Sequence, residues 1–237
     1  MNANMMGTGI PGKRLWSPAD TKARYLSNMK NRLFEMRDFG WEDSEDRILY
    51  DCGEHGFRET RLSSIKQNQC LALGCSYTFG VGLPLEDIWT SIFEQKYAAT
   101  VYNLGAPSMG NETFFRLAYH WIPILKPKLV MVLSPGMHRR ERISDNRWKP
   151  LGGWCDINDA IDMQYLDKDE CFYSNTRSLL GIEMLCQQHN ATYLVQDSQF
   201  YWGKTLARDL MHPGKDYHLK TAEYFYEQTL STQAQIL

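Results

Sequence analysis

The sequence has no apolar run approaching the ~18 residues that cross a bilayer as a helix, and no block of basic residues. The first absence predicts that no transmembrane helix forms. The second, with a formal net charge of −2, argues against a nucleic-acid surface. Residues 1–14 lack the apolar stretch of a secretory leader. The six cysteines (52, 70, 75, 155, 171 and 186) include no C-x-x-C pair. Several lie in apolar runs, where a free cysteine packs as a small hydrophobe. Together these absences predict a reduced, cytoplasmic protein with no membrane partner. Internal repeats and low-complexity tracts are also missing. What remains is 43% apolar content over 237 residues, enough for one good-sized core plus an extension.

The stretch that organises the chain is Asn68 to Leu83. Cys70-Leu71-Ala72-Leu73 is a short continuous apolar run, the pattern of a parallel strand buried on both faces. It stops at Gly74, and helical spacing follows, which places Ser76 on a strand-to-helix turn. In open α/β sheets ligands bind at that carboxyl edge. A serine there has an exposed hydroxyl, a free N–H and a helix N-terminus beside it, all suited to attack on a carbonyl. A serine N-cap is the structural alternative.

Upstream, Ser17-Pro18-Ala19-Asp20 reads as a helix start leading into 21–36, with Leu26, Met29, Leu33 and Phe34 on the buried face. Such a helix could be a lid or an oligomer contact. Residues 47–51 read as a strand, 84–97 as a helix, 100–104 as a second strand, and Asn111 as the cap of a helix through Ile122. Strand patterns recur at 128–133 and 191–196, and helical patterns at 175–190 and 219–233. The β–α alternation predicts a parallel sheet with helices on both faces. Residues 1–45 are expected to be an N-terminal extension packing on a main domain of residues 46–237. An irregular insertion at about 139–173 is expected to lie over the site.

The second segment with chemistry is Arg208-Asp209-Leu210-Met211-His212-Pro213-Gly214. The D-x-x-H spacing sets carboxylate and imidazole on one side of a turn. A general base needs that arrangement, because the carboxylate fixes the tautomer and stabilises the imidazolium. The alternatives are a surface Asp–His pair, or part of a metal site with Asp216 and His218. No second cluster of His or Cys stands at ligand spacing, and His138-Arg139-Arg140-Glu141 lacks the paired histidines of a zinc helix. No metal or other cofactor is expected.

Taken together, these segments resemble the SGNH (GDSL-type) hydrolase family over roughly residues 47–230. Gly74-Cys75-Ser76-Tyr77-Thr78 is similar to its first block, and Asn103-Leu104-Gly105-Ala106-Pro107-Ser108 to its second. Asp209-Leu210-Met211-His212-Pro213 is similar to its last, and Gly56-Phe57-Arg58 to a lead-in seen in some members. The resemblance implies a three-layer α/β/α fold with a mostly parallel, flavodoxin-like sheet. It implies Ser76 as nucleophile, His212 as general base and acid, and Asp209 as its orienting partner. The implied oxyanion donors are the backbone N–H groups of Ser76 and Ser108. Three departures stand out. Cys75 replaces an aspartate, and Ser108 replaces a glycine. The third block reads Ser134-Pro135-Gly136-Met137, without the asparagine that completes the oxyanion hole. One such donor is worth ~3 kcal/mol in the transition state; His138 or Arg139, on the same loop, could substitute by charge. Cys75 is expected to pack rather than react.

The expectation is therefore a serine esterase or deacetylase working through an acyl-enzyme on a small-molecule or glycan ester. Trp148, Trp154, Tyr201 and Trp202 could form a platform for an O-acetylated carbohydrate. The rival expectation is a glycan-binding or assembly module on the same fold, with catalysis weakened or lost.

Overall fold

Short apolar runs bounded by turn residues form the sheet that the helices cover. The computed structural model describes residues 10–66, 69–144, 147–152, 164, 166–201 and 203–232. The chain opens with strand β1 (Gly12–Arg14), helices α1 (Lys22–Asn31) and α2 (Leu33–Asp38), and strand β2 (Tyr50–Cys52). Strand β3 (Cys70–Gly74) leads directly into the short helix α3 (Ser76–Phe79), followed by α4 (Trp89–Tyr97). Strand β4 (Val101–Gly105), helix α5 (Asn111–Leu125) and strand β5 (Leu129–Ser134) come next. Strands β6 (Arg140–Ser144) and β7 (Arg147–Leu151) precede helix α6 (Lys168–Gln188), strand β8 (Thr192–Asp197) and helix α7 (Lys215–Ser231).

The main sheet has the order β4-β3-β5-β8, with every neighbouring pair parallel. Alternation along its strands divides the core. Leu71, Leu73, Leu104, Val130 and Val132 face α5 and α6, meeting Phe114, Leu117, Trp121 and Ile182. Ala72, Val101, Leu129, Met131 and Leu133 face α4 and α7, meeting Trp89, Phe93, Tyr217 and Phe225. The fold is thus a three-layer α/β/α arrangement around a parallel sheet, as the β–α alternation predicts. The chain runs from β3 to β4 on one side, then crosses to β5 on the other. The carboxyl end of β3 is therefore the topological switch point, where loops diverge and leave a crevice.

Several local expectations shift. The first helix begins at Lys22 with Thr21 as N-cap, whose hydroxyl accepts the Arg24 N–H, rather than at Pro18. It breaks at Arg32, so its buried face is Tyr25 and Asn28, whereas Leu26 and Phe34 are exposed. The 47–51 strand is Tyr50–Cys52, and it pairs antiparallel with β1 instead of joining the main sheet. Gly110, not Asn111, caps α5. Helix α6 starts seven residues earlier than 175, because Asp167 caps it through the N–H groups of Asp169 and Glu170. Within the irregular stretch, β6 and β7 form an antiparallel hairpin. Its alternation is hidden in the sequence by charges paired at the start of α5, Arg140 with Glu112 and Glu141 with Arg116.

Candidate active site

The apolar run of β3 carries the chain to Gly74, and Ser76 is then the first residue of α3, with Cys75 in the cap position. Helix α3 lies against the end of β4. A Cβ on Gly105 would stand 2.3 Å from the Phe79 backbone nitrogen, so only glycine lets the two approach this closely. Asn103 completes the contact: its amide donates to the Thr78 carbonyl at 2.8 Å and its oxygen accepts the Gly105 N–H at 2.8 Å. The lead-in acts on the same turn from the other side. Buried Arg58 donates to the carbonyl of Gly80, the C-cap of α3, at 2.8 Å and to that of Leu49 at 3.0 Å. Asn103 and Arg58 thus hold the turn carrying Ser76 by its carbonyls.

Asp209 and His212 are joined as their spacing predicts. The Nδ1 of His212 lies 2.5 Å from one Asp209 oxygen, while the other accepts the N–H groups of Met211 and His212, each at 3.0 Å. Burial alone would raise the Asp209 carboxyl. The hydrogen bond and charge of His212 and the two N–H donors outweigh it and hold the carboxyl below its ordinary range. With Nδ1 committed to Asp209, Nε2 is the nitrogen left for other work. The turn is made possible by Leu210 at φ 52°, in the left-handed region that costs a side-chain-bearing residue ~1–2 kcal/mol.

The two segments meet at this edge of the sheet. Gly82, just past α3, accepts the Arg208 N–H at 3.0 Å, and the ring of Tyr77 stands edge-on to that of His212, 5.8 Å between centroids. No hydrogen bond joins Ser76 Oγ to His212 among the described residues. The Ser76 hydroxyl is buried rather than exposed as the turn position predicts, because the loops around α3 close over it, and it has the Cys75 sulfur at 4.0 Å. Cys75 is buried in the core beneath α5, which is a packing position.

On the loop after β4, Ser108 has φ 67°. This is the left-handed conformation in which glycine is usual, and the serine adopts it. The N–H of Ser108 makes no hydrogen bond to the protein among the described residues, and neither does that of Ser76. After β5, His138 is exposed and folded back over Gly136. Arg139 is closer to the centre: its carbonyl abuts Gly110, and its charge acts on Tyr77, whose phenol burial pushes above its ordinary value. Asn111 was not singled out as a site residue. Its buried amide donates to Ser134 Oγ at 2.7 Å, tying the loops after β4 and β5 together.

The metal alternative finds no support in the positions of its residues. His218 is fully buried and its Nδ1 accepts the Trp89 N–H at 3.0 Å, while Asp216 accepts the N–H groups of Lys204 and Thr205. Of the aromatic platform, Trp148 carries Arg116 over its ring at 4.6 Å and Tyr201 stacks near Tyr217; Trp154 and Trp202 lie outside the described residues. A cavity of about 490 Å³ adjoins Ser108. Ile10, Trp16, Pro18, Phe79, Val81 and Pro107 give it a largely apolar wall.

No protein-family model matches the chain, and no curated protein matches it. Among solved structures, a lipolytic protein of the G-D-S-L family from Desulfitobacterium hafniense DCB-2 is similar at 16% identity, covering 68% of this chain and 99% of its own, with a TM-score of 0.37. A psychrotrophic esterase from Pseudoalteromonas sp. is similar at 12% identity, covering 70% and 99%, with a TM-score of 0.39. A variant of an acetylxylan esterase from Geobacillus stearothermophilus is similar at 12% identity, covering 69% and 94%, with a TM-score of 0.33.

Proposed function

We propose that the chain is a serine hydrolase of carboxylic esters with the SGNH arrangement, acting through Ser76, His212 and Asp209. The observation that carries this reading is the Asp209–His212 bond at 2.5 Å, on a turn hydrogen-bonded to the segment that leaves Ser76. A surface Asp–His pair would not need a left-handed leucine and a buried carboxylate to form it.

In the proposed reaction, Ser76 Oγ bonds to the carbonyl carbon while its proton passes to Nε2 of His212. The carbonyl oxygen becomes an oxyanion facing the N–H groups of Ser76 and Ser108. Collapse breaks the bond to the alcohol oxygen, which takes the proton from His212 and leaves an acyl-enzyme. Water then attacks, gives its proton to His212, and the acid departs as Ser76 regains its hydrogen. Asp209 stays ionised throughout. Lacking the third-block asparagine, the oxyanion hole would have two backbone donors, those of Ser76 and Ser108.

Two substrate classes are to be compared, an ester with an apolar part, which the largely apolar cavity beside Ser108 would suit, and an O-acetylated sugar. Competing a medium-chain aryl ester against an acetylated oligosaccharide distinguishes the two. The central test is incubation with a serine-directed phosphonate followed by intact mass. One adduct mapped to Ser76, lost in Ser76→Ala together with aryl-ester turnover, is expected. No adduct and no turnover at any pH would instead favour a binding or assembly module.

A further inference from the structure

We propose that residues 15–45, the N-terminal extension, are a positioning element that holds the Asp209–His212 turn against the nucleophile turn. The proposal rests on the reading of Ser76, His212 and Asp209 given above. This role stands beside the lid and oligomer-contact expectations for this segment.

The contacts converge on the turn residue by residue. Arg208, the neighbour of Asp209, is fully buried, and all five of its N–H groups have acceptors, every one of them in the extension. Nε and Nη2 bond Asp20 at 3.2 and 2.7 Å, Nη2 also bonds the Leu15 carbonyl at 2.9 Å, and Nη1 bonds the carbonyls of Ser44 and Glu45 at 2.7 and 3.1 Å. The Trp16 ring lies 4.2 Å from the same guanidinium. One residue on, the Asp209 carbonyl accepts from Asn28 at 3.2 Å. One further, the carbonyl of left-handed Leu210 accepts from Arg32 at 3.3 Å, and its side chain is buried among Tyr25, Met36 and Trp41. Trp41 closes the set, its indole N–H donating to the Leu206 carbonyl at 2.8 Å.

The same network reaches the nucleophile turn. Asp20 accepts from the Tyr50 hydroxyl at 2.7 Å, and that hydroxyl accepts the Gly82 N–H at 2.7 Å. Gly82 in turn accepts the Arg208 N–H, and its φ of 76° together with the Ala207 methyl, 2.8 Å from where a Cβ would stand, makes any side chain there strained. One buried carboxylate in the extension therefore sets the spacing between the turn carrying Ser76 and the turn carrying His212. A segment serving only to cover the core would bury apolar side chains there. This one also aims polar groups at successive carbonyls of a strained turn, which fixes geometry.

The test uses the full chain and variants that spare the Arg208–Asp20 pair. In Asn28→Ala/Arg32→Ala, kcat should fall by about tenfold to a hundredfold with KM within about twofold, the scale of a small misplacement of a catalytic group. The acid limb of the kcat/KM profile should move to lower pH, because a displaced Asp209 stabilises the imidazolium less. Arg32→Lys should recover most of the rate in a single-variant comparison. Should the double variant fail to fold, Arg32→Ala alone carries the test, since the Arg32 side chain is 39% exposed. Unchanged kcat and pH profile in folded variants of an active wild-type enzyme would overturn the proposal. An inert wild-type chain that no phosphonate labels at Ser76 would overturn the underlying reading instead.

Discussion

At the scale of single residues, the histidine of the first turn of α7 shows how burial decides a role. His218 lies near His212 in the sequence and belonged to the metal alternative, yet its ring is enclosed and accepts the Trp89 N–H. Burial, with smaller contributions from the charges of His212 and Arg58, pulls its pKa down to about 3. The folded state therefore refuses a proton that the unfolded chain binds below its ordinary value near 6.5. Its stabilisation is complete above that value and is lost as pH falls from 6.5 towards 3, at about 1.4 kcal/mol per pH unit. Asp209 works in the same direction but only below the ordinary carboxylate range, since its folded pKa is depressed. Urea midpoints measured from pH 7 to 4 should fall steadily in the wild type. In His218→Gln, whose amide oxygen can accept the same N–H, they should be much flatter over that interval. Equal slopes would assign the acid sensitivity to other groups.

At the scale of elements, the decisive unit is β3 followed at once by α3. An uninterrupted apolar run ending in Gly-Cys-Ser was readable as a strand and a turn, because its length and both-face burial leave few alternatives. The closeness of α3 to β4 was not readable, since it depends on a glycine thirty residues away. Gly105→Ala drives a methyl into the Phe79 backbone, which cannot move without displacing Ser76. We expect a loss of roughly 1–3 kcal/mol, the usual range for overpacking a core, together with a larger fractional loss of activity than of folded protein. Thermal melting alongside active-site titration with phosphonate separates the two effects. The 22–38 region illustrates the opposite limit. Helical periodicity there pointed to Leu26 and Phe34 as buried, but the break at Arg32 and the pull of polar contacts turned Tyr25 and Asn28 inward.

At the scale of the molecule, the buried Arg208–Asp20 pair joins segments 188 residues apart. Removing one member leaves an uncompensated charge in the core, which typically costs about 3–5 kcal/mol. Asp20→Ala should therefore lower stability by that order in equilibrium denaturation, and Asp20→Asn by less, because an amide oxygen still accepts from the guanidinium. A change below about 1 kcal/mol for Asp20→Ala would mean that the carbonyls of Leu15, Ser44 and Glu45 suffice for Arg208.

The sequence by itself determined the α/β class, the strand that leads into Ser76, and the Asp209–His212 pairing. Each rests on local spacing: a buried strand needs a continuous apolar run, and a D-x-x-H turn brings its two side chains together within four residues. Only the tertiary structure decided which helix face is buried in the extension, that Asn28, Arg32 and Asp20 reach the Asp209–His212 turn, and that Ser108 and Leu210 take left-handed conformations. The first two outcomes depend on contacts across more than a hundred residues of chain, where hydrogen bonds and close packing override the preferences any short stretch can express.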